Sequence, residues 1–290
     1  MQLIKGTTKL LAVIGDPVKH SLSPIMHNAA IADLAVDYVY LAFPVSSESL
    51  EMAIAGFEAI DLVGFSITIP HKRAILPFLA QVSPIAEAVG AVNTVWRTEK
   101  GWYGTNTDVA GFIAPLKSLN QDWQQVSPTI LGNGGAARAV VAGCAELGCP
   151  EIKVVGRNQQ RLDDFQQSWG NSGLQAQIKA YTWDELPGLV SETKLLVNTT
   201  PVGMYPDSEN SPVDAKLMEK LPANAIAYDL IYTPKPTKFL QLAAQQGAMS
   251  IDGLEMLVQQ GAAALEIWLQ QPAPVEVMRQ SLLNYLGFTN

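Results

Sequence analysis

Cysteine, histidine and charge are all scarce in this chain. Two cysteines, Cys144 and Cys149, and three histidines are spread over 290 residues. The two cysteines, five apart, are not read as a zinc spacing, and the histidines form no metal-binding cluster. Two cysteines cannot build a disulfide framework, so both read as free, reduced thiols of a cytoplasmic protein. Long apolar runs are also missing, and none reaches the ~20 residues of a membrane-spanning helix. The start, MQLIKGTTKLLAVIG, has no long apolar stretch and no small-residue cleavage site, so no signal peptide is read from it. Charged residues make up 16%, and the formal net charge is −8. That balance argues against broad nucleic-acid binding, which favours a basic footprint. It leaves room for a single buried anion site.

What is present is alternation. LLAVIG (10–15), YVYLAF (38–43), LVGFSITI (62–69) and AVNTVW (91–96) read as strands. SPIMHNAAIADL (23–34) and SESLEMAIAGFEAI (47–60) read as helices. A second series follows, with strands at TILG (129–132), EIKVVG (151–156), KLLVNTT (194–200) and AIAYDLI (225–231). Repeated βα units predict an α/β fold of two lobes, each a parallel sheet covered by helices. A helix beginning near Asp108 and ending near Asn120, followed by a polar loop, suggests the boundary. The long amphipathic pattern GLEMLVQQGAAALEIWLQ (253–270) has no strand after it and can return to the first lobe. The expected domains are residues 1–108 completed by 253–290, and residues 109–252. Two connections between two lobes would create a cleft.

The segment TILGNGGAARAVVAG is a strand, then Gly132-x-Gly134-x-x-Ala137, then an apolar-periodic helix. Gly132 permits the tight turn, Gly134 lets a pyrophosphate approach the backbone, and Ala137 allows close helix–strand packing. The helix start supplies free N–H groups and a positive dipole end. By itself such a loop can be a plain βα turn. Here strand and helix both lie where dinucleotide binding needs them. An NAD site usually ends the next strand with an acid. This chain has Gly156, Arg157 and Asn158 there, with Arg161 beyond. A guanidinium pairs well with a 2′-phosphate, which favours NADP. The other reading, a solvated helix start, explains the charge but not the missing acid.

Polar residues cluster near strand ends in the first lobe. They are Ser21 and Ser23 in HSLSPIMHN; Ser66, Thr68 and Lys72 in GFSITIPHKR; Asn93 and Thr94; and Asn106, Thr107 and Asp108. Ser23 ahead of Pro24 also reads as a helix N-cap, which leaves Ser21 unexplained. The set suits a polyhydroxylated acid. Lys72 and Asp108 are the candidate proton-transfer pair for a ketone reduction. Taken singly, Asp108 also fits a helix cap and Lys72 an exposed helix lysine. Of the histidines, His20 flanks the serines, His27 lies inside a helix, and His71 adjoins Lys72.

SLSP, the T-x-P-x-K stretch of SITIPHK, AVNT, NTD, GNGGAAR and DGLEMLVQQ occur in one order across the chain. In that ordered set the sequence resembles the shikimate dehydrogenases over essentially its whole length. The resemblance implies reversible, NADPH-dependent reduction of 3-dehydroshikimate to shikimate, on the route to chorismate and the aromatic amino acids. It implies a substrate-binding N-terminal lobe and a Rossmann-like nucleotide lobe, in a monomer or homodimer acting on a small molecule. It assigns Lys72 and Asp108 to catalysis and Ser21 and Ser23 to the substrate carboxylate. Ser66 stands at another substrate position, Thr68, Asn93 and Gln260 at positions that hold its hydroxyls, and Tyr232 at a further substrate-side position. On the nucleotide side it implies Gly132, Asn133, Gly134, Gly135, Ala136, Ala137, Gly156, Arg157, Asn158, Arg161, Asn198, Thr199, Thr200, Leu230 and Gly253. No metal is implied. The chain departs from the family at Ser66, where many members carry Asn. It departs again at Asn133 for the usual Ala, and at Gly156-Arg157-Asn158 for the usual Asn-Arg-Thr. A quinate/shikimate dehydrogenase using NAD, and a non-catalytic sensor of the same fold, are the competing readings. Two serines and two arginines favour shikimate and NADP over the first, and retention of both Lys72 and Asp108 speaks against the second.

Overall fold

The computed structural model describes residues 3–170 and 172–288. Along the chain run β1 (Lys9–Gly15), α1 (Ser23–Asp33), β2 (Tyr38–Pro44), α2 (Leu50–Ala59), β3 (Gly64–Ile67), α3 (His71–Ala74), β4 (Gln81–Val82), α4 (Pro84–Val89), β5 (Thr94–Thr98) and β6 (Gly101–Thr105). There follow α5 (Asp108–Lys117), β7 (Thr129–Leu131), α6 (Gly135–Glu146), β8 (Glu151–Gly156), α7 (Gln159–Gln167), β9 (Gln177–Thr182), α8 (Leu186–Val190) and β10 (Leu195–Asn198). The chain ends with α9 (Ala215–Met218), β11 (Ile226–Asp229), α10 (Lys238–Gln245), β12 (Met249–Ile251), α11 (Leu254–Leu269) and α12 (Val275–Leu286). They form two compact units, one of residues 1–111 with 258–290, the other of residues 112–257. Each division therefore falls about one turn inside a continuous helix, α5 or α11, rather than in a loop.

In the first unit the sheet order is β2-β1-β3-β5-β6-β4. β1 pairs parallel with β2 and β3, but β5 runs antiparallel to both β3 and β6. The expected parallel sheet is thus mixed. The reason is local: β5 and β6 are joined by a tight hairpin, in which Thr98 Oγ1 donates to Gly101 O at 2.8 Å. A two-residue connection permits only an antiparallel return. One face of this sheet packs Phe65 against Phe57 and Trp102, with Ala12, Ile14 and Ile67 beside them. Burying one such aromatic contributes roughly 1.5–3 kcal/mol. The other face carries α1 and α11. Trp268 of α11 donates its indole N–H to Val95 O at 3.0 Å, over Gly64. Any Cβ at Gly64 would collide with that indole. The glycine is what lets the returning helix lie against the sheet.

In the second unit the sheet is fully parallel, in the order β12-β11-β10-β7-β8-β9. Counted from β7, that is the doubly wound order 3-2-1-4-5-6. Its strand order reverses between β7 and β10, the place where open α/β sheets bind ligands. Leu131, Val155, Leu196 and Ala227 meet Phe239 and Leu240 of α10 in its core. β4, β6, β9 and β12 are not evident from the sequence. They are short or polar, and pairing with a neighbour rather than an apolar run defines them.

Candidate active site

Predicted strands shorten where the polar clusters begin. β3 stops at Ile67 and β5 starts at Thr94, so Thr68 and Asn93 lie just off the strand ends. Their backbones are still held. Thr68 N–H donates to Ile14 O at 2.9 Å and Asn93 N–H to Thr105 O at 3.1 Å. Lys72 rides on the short α3, whose backbone is tied to this region by Val92 N–H donating to Lys72 O at 2.8 Å.

Lys72 Nζ donates to Asp108 Oδ2 at 2.5 Å. Asp108 opens α5, but its carboxylate is engaged by tertiary partners, since Asn93 Nδ2 donates to its Oδ1 at 2.9 Å. Asn93 is the hub. Its Oδ1 accepts from Thr107 N–H at 2.7 Å and from Thr94 Oγ1 at 3.0 Å, and its Nδ2 reaches Gln260 Oε1 at 3.4 Å. Asn93, Thr94, Thr107 and Asp108 are buried, whereas the Lys72 side chain is 25% exposed. The ammonium is thus fixed at one end by a buried network and open at the other. Sequence reading paired Lys72 with Asp108. It did not anticipate that Asn93 orients the carboxylate, because that contact joins residues fifteen apart through the sheet.

Ser23 is not an N-cap. Leu22 holds that position with no side-chain cap bond, and Ser23 is the first helical residue. Ser21 Oγ accepts the Ser23 N–H at 3.3 Å, so the upstream serine takes the free donor. That leaves the buried Ser23 hydroxyl available for other partners. Ser66 is buried on the face that carries α1. His71 turns away from Lys72, with Nε2 2.6 Å from Val45 O. His27 is buried and stacked on Tyr40, and burial lowers its pKa to about 3, so it is neutral. Gln260 belongs to α11 and to this unit, whereas Tyr232 belongs to the second unit, just after β11. Burial raises the pKa of its phenol.

In the second unit Gly132 has φ +103°, and a Cβ there would lie 2.8 Å from Thr199 Oγ1. Thr199 in turn donates through Oγ1 to Leu131 O at 2.7 Å, which joins the loops after β7 and β10. α6 starts at Gly135 with Gly134 as N-cap and no side-chain cap bond. A Cβ at Gly134 or Gly135 would meet nothing within 4 Å. Open space before an uncapped helix start at the sheet's reversal point fits a pyrophosphate. Gly156 adjoins the Asn133 side chain, and Gly253 packs so tightly on Leu230 O that no side chain fits. Arg157 and Arg161 are exposed, and the Arg157 guanidinium stands 5.5 Å from the Trp183 ring centroid. A stacked guanidinium is pre-oriented for a phosphate. Asn158 caps α7, accepting from Arg161 N–H at 2.9 Å. The arrangement fits a 2′-phosphorylated dinucleotide.

Asn198 and Asp229 form a second buried network that the sequence did not reveal. Asn198 Nδ2 donates to Asp229 Oδ1 at 3.0 Å, and Thr237 Oγ1 to Oδ2 at 2.6 Å. Asn198 Oδ1 accepts from Thr200 N–H and Oγ1 at 3.0 and 2.7 Å, which fixes the loop after β10. Burial outweighs these hydrogen bonds and lifts the Asp229 pKa to about 6. Trp183 and Asp229 were missed for the same reason: each acts through a partner distant in sequence.

Among the described residues no His/Cys/Asp/Glu group could hold a metal ion, and no helix is long and apolar enough to cross a membrane. The family model of the shikimate dehydrogenase substrate binding domain matches residues 13–95, and that of the shikimate 5'-dehydrogenase C-terminal domain matches residues 253–283. The chain is 65% identical over 283 residues to the shikimate dehydrogenase (NADP(+)) of Microcystis aeruginosa, covering 98% of this chain and 99% of that one. It is similar to the shikimate 5-dehydrogenase of Listeria monocytogenes solved with shikimate and NAD, with TM-score 0.88 and 35% identity, over 97% of this chain and 99% of that one. The enzyme of Thermus thermophilus solved with NADP(H) and shikimate gives TM-score 0.84 at 34% identity, over 95% of this chain and 99% of that one. With the ordered motifs, the doubly wound sheet and this likeness along nearly its whole length, the chain belongs to the shikimate dehydrogenase family.

Proposed function

We propose that the chain catalyses the reversible NADPH-dependent reduction of 3-dehydroshikimate to shikimate, with Lys72 and Asp108 as the proton-transfer pair. The single observation that carries this is the Lys72–Asp108 bond at 2.5 Å, braced by Asn93. Reducing a ketone adds hydride to carbon and a proton to oxygen. NADPH supplies the hydride when bound. Lys72 donates a hydrogen bond to the ketone oxygen and then its proton as negative charge grows there. Asp108 orients the ammonium while Asn93 keeps the carboxylate aimed, and after each transfer Lys72 regains its proton from water on its exposed side. In the oxidation direction the same groups run in reverse.

Substrate binding is assigned to the first unit, with Tyr232 of the second unit as an added contact, and NADP binding to the second. Ser21 and Ser23 hold the carboxylate, Thr68, Asn93 and Gln260 the hydroxyls, with Ser66 and Tyr232 as further substrate contacts. The loop Gly132–Ala137, the loop after β10, and Leu230 with Gly253 hold the dinucleotide, and Arg157 and Arg161 its 2′-phosphate. The two buried free thiols support a reducing, cytoplasmic setting. We read the enzyme as a monomer or homodimer.

The test is turnover with shikimate and NADP, followed by NADPH absorbance, beside quinate and NAD. Efficient turnover of shikimate with NADP supports the reading. Equal use of NAD overturns the cofactor assignment, preference for quinate overturns the substrate, and no turnover of any pair overturns the enzyme.

A further inference from the structure

Tyr40 lies in the middle of β2 and is completely buried. In register it sits opposite Leu11, while Ser66 sits opposite Val13, two residues further along β1. Paired residues of parallel strands share a face, and so do residues two apart. Tyr40 and Ser66 therefore point to the same side of the sheet, the side covered by α1. The tyrosine side chain is long enough to cross the intervening strand. Its hydroxyl is flanked by the hydroxyls of Ser66 and Ser23, yet no hydrogen bond of normal geometry forms. Buried polar atoms are rarely left without partners. The ring itself is held firmly. It stacks on His27 with centroids 4.2 Å apart and planes 14° apart, and Trp268 closes the third side at 5.9 Å. Both nitrogens of the neutral His27 are also without partners, so the pair forms a flat wall and not a hydrogen-bonded one. Burial raises the Tyr40 pKa further, so the phenol keeps its proton and remains a donor.

We propose that Tyr40 is a positioning residue of the substrate site, linking Ser66 to Ser23 in a hydroxyl chain that completes itself when an acidic substrate binds. This rests on the substrate reading above. The chemistry follows from counting protons. A serine hydroxyl has one proton, and a carboxylate needs to receive it. If Ser23 accepts from Tyr40, its own O–H is free to donate and is polarised by the bond it receives. Tyr40 in turn accepts from Ser66. Ser66, where many family members carry Asn, is then the hydroxyl that donates to Tyr40. Tyr40 acts through the two serines and does not touch the reacting atoms.

Tyr40→Phe removes one oxygen and keeps the ring and its stack. In shikimate oxidation its KM for shikimate is expected to rise about three- to tenfold, with kcat within about twofold and KM for NADP unchanged. The unfolding midpoint without ligand should stay or rise, because no formed hydrogen bond is lost. Ser66→Ala should raise KM similarly, and the double variant should be no worse than the worse single one, since the chain is broken only once. An unchanged KM in Tyr40→Phe, an additive double variant, or a kcat loss at constant KM overturns the proposal. Wild-type protein that does not turn over shikimate overturns both this and the parent reading. Active wild type with an indifferent Tyr40→Phe overturns this alone.

Discussion

In the proposed mechanism Lys72 meets negative charge that exists only as the ketone is reduced, which places its contribution in the transition state. Lys72→Ala should lower kcat by roughly 10²–10⁴ with little change in shikimate KM, checked by steady-state kinetics. A near-normal kcat would move the proton donor to Asp108 or water. In the proposed site Ser21 and Ser23 face a carboxylate whose charge does not change, so their loss should act mainly on KM, by roughly tenfold or more. They should differ in stability. Ser21 accepts the Ser23 N–H at the start of α1, whereas Ser23 makes no cap bond. Ser21→Ala should therefore cost about 0.5–2 kcal/mol of unfolding free energy, and Ser23→Ala nearly none. Denaturant unfolding without ligand measures both. An equal loss in the two variants would mean that the Ser21 bond to the Ser23 N–H does not set the helix start. SLSP reads as a Ser23 cap, and only the turn geometry moves the N-cap to Leu22 and turns Ser21 Oγ onto the Ser23 N–H.

Strand ends and helix starts carry the rest of the site. In the second unit, the loop after β7 is held by Gly132 at φ +103° and by Thr199 from the loop after β10. The sequence pattern located this turn correctly, since glycine spacing between an apolar strand and a periodic helix has few other uses. It also located Arg157, but not the Trp183 ring 5.5 Å from it, which belongs to a turn beyond β9. Arg157→Ala should raise KM for NADP by roughly ten- to hundredfold while changing KM for NAD and shikimate little. Parallel kinetics with the two cofactors reads this. A uniform loss for NAD and NADP would mean that Arg157 supports the loop and not the 2′-phosphate.

At the scale of the molecule, each unit joins an apolar core to a buried polar network. Asp229 anchors the network of the second unit, and burial lifts its pKa from 3.8 to about 6. The folded chain keeps a proton that the unfolded chain releases between those values. Its effect is thus a penalty, absent below the lower value, growing as pH rises, and complete above about 6. About 2 kcal/mol of it develops between about pH 4.5 and 7.5. Asp229→Asn cannot titrate, and its oxygen can still accept from Asn198 and Ile231 N–H. The stability difference between variant and wild type should therefore shift by ~2 kcal/mol in favour of the variant across that interval. Denaturant unfolding at both ends of the interval measures it, and a pH-independent difference would contradict the assigned shift.

The sequence alone determined the α/β class, the glycine loop, the two arginines after the second strand of the same lobe, and the Lys72–Asp108 pairing through ordered motifs. These are local patterns: periodicity, turn chemistry and residue type are written in neighbouring positions. Only the tertiary structure decided that β5 reverses the sheet and that Asn93 aims Asp108. It also decided that Ser21 accepts the Ser23 N–H while Leu22 takes the N-cap position, and that Tyr40 reaches toward two serines from another strand. Each of these depends on side chains meeting across strands that register and twist bring together. No spacing along the chain encodes such a meeting.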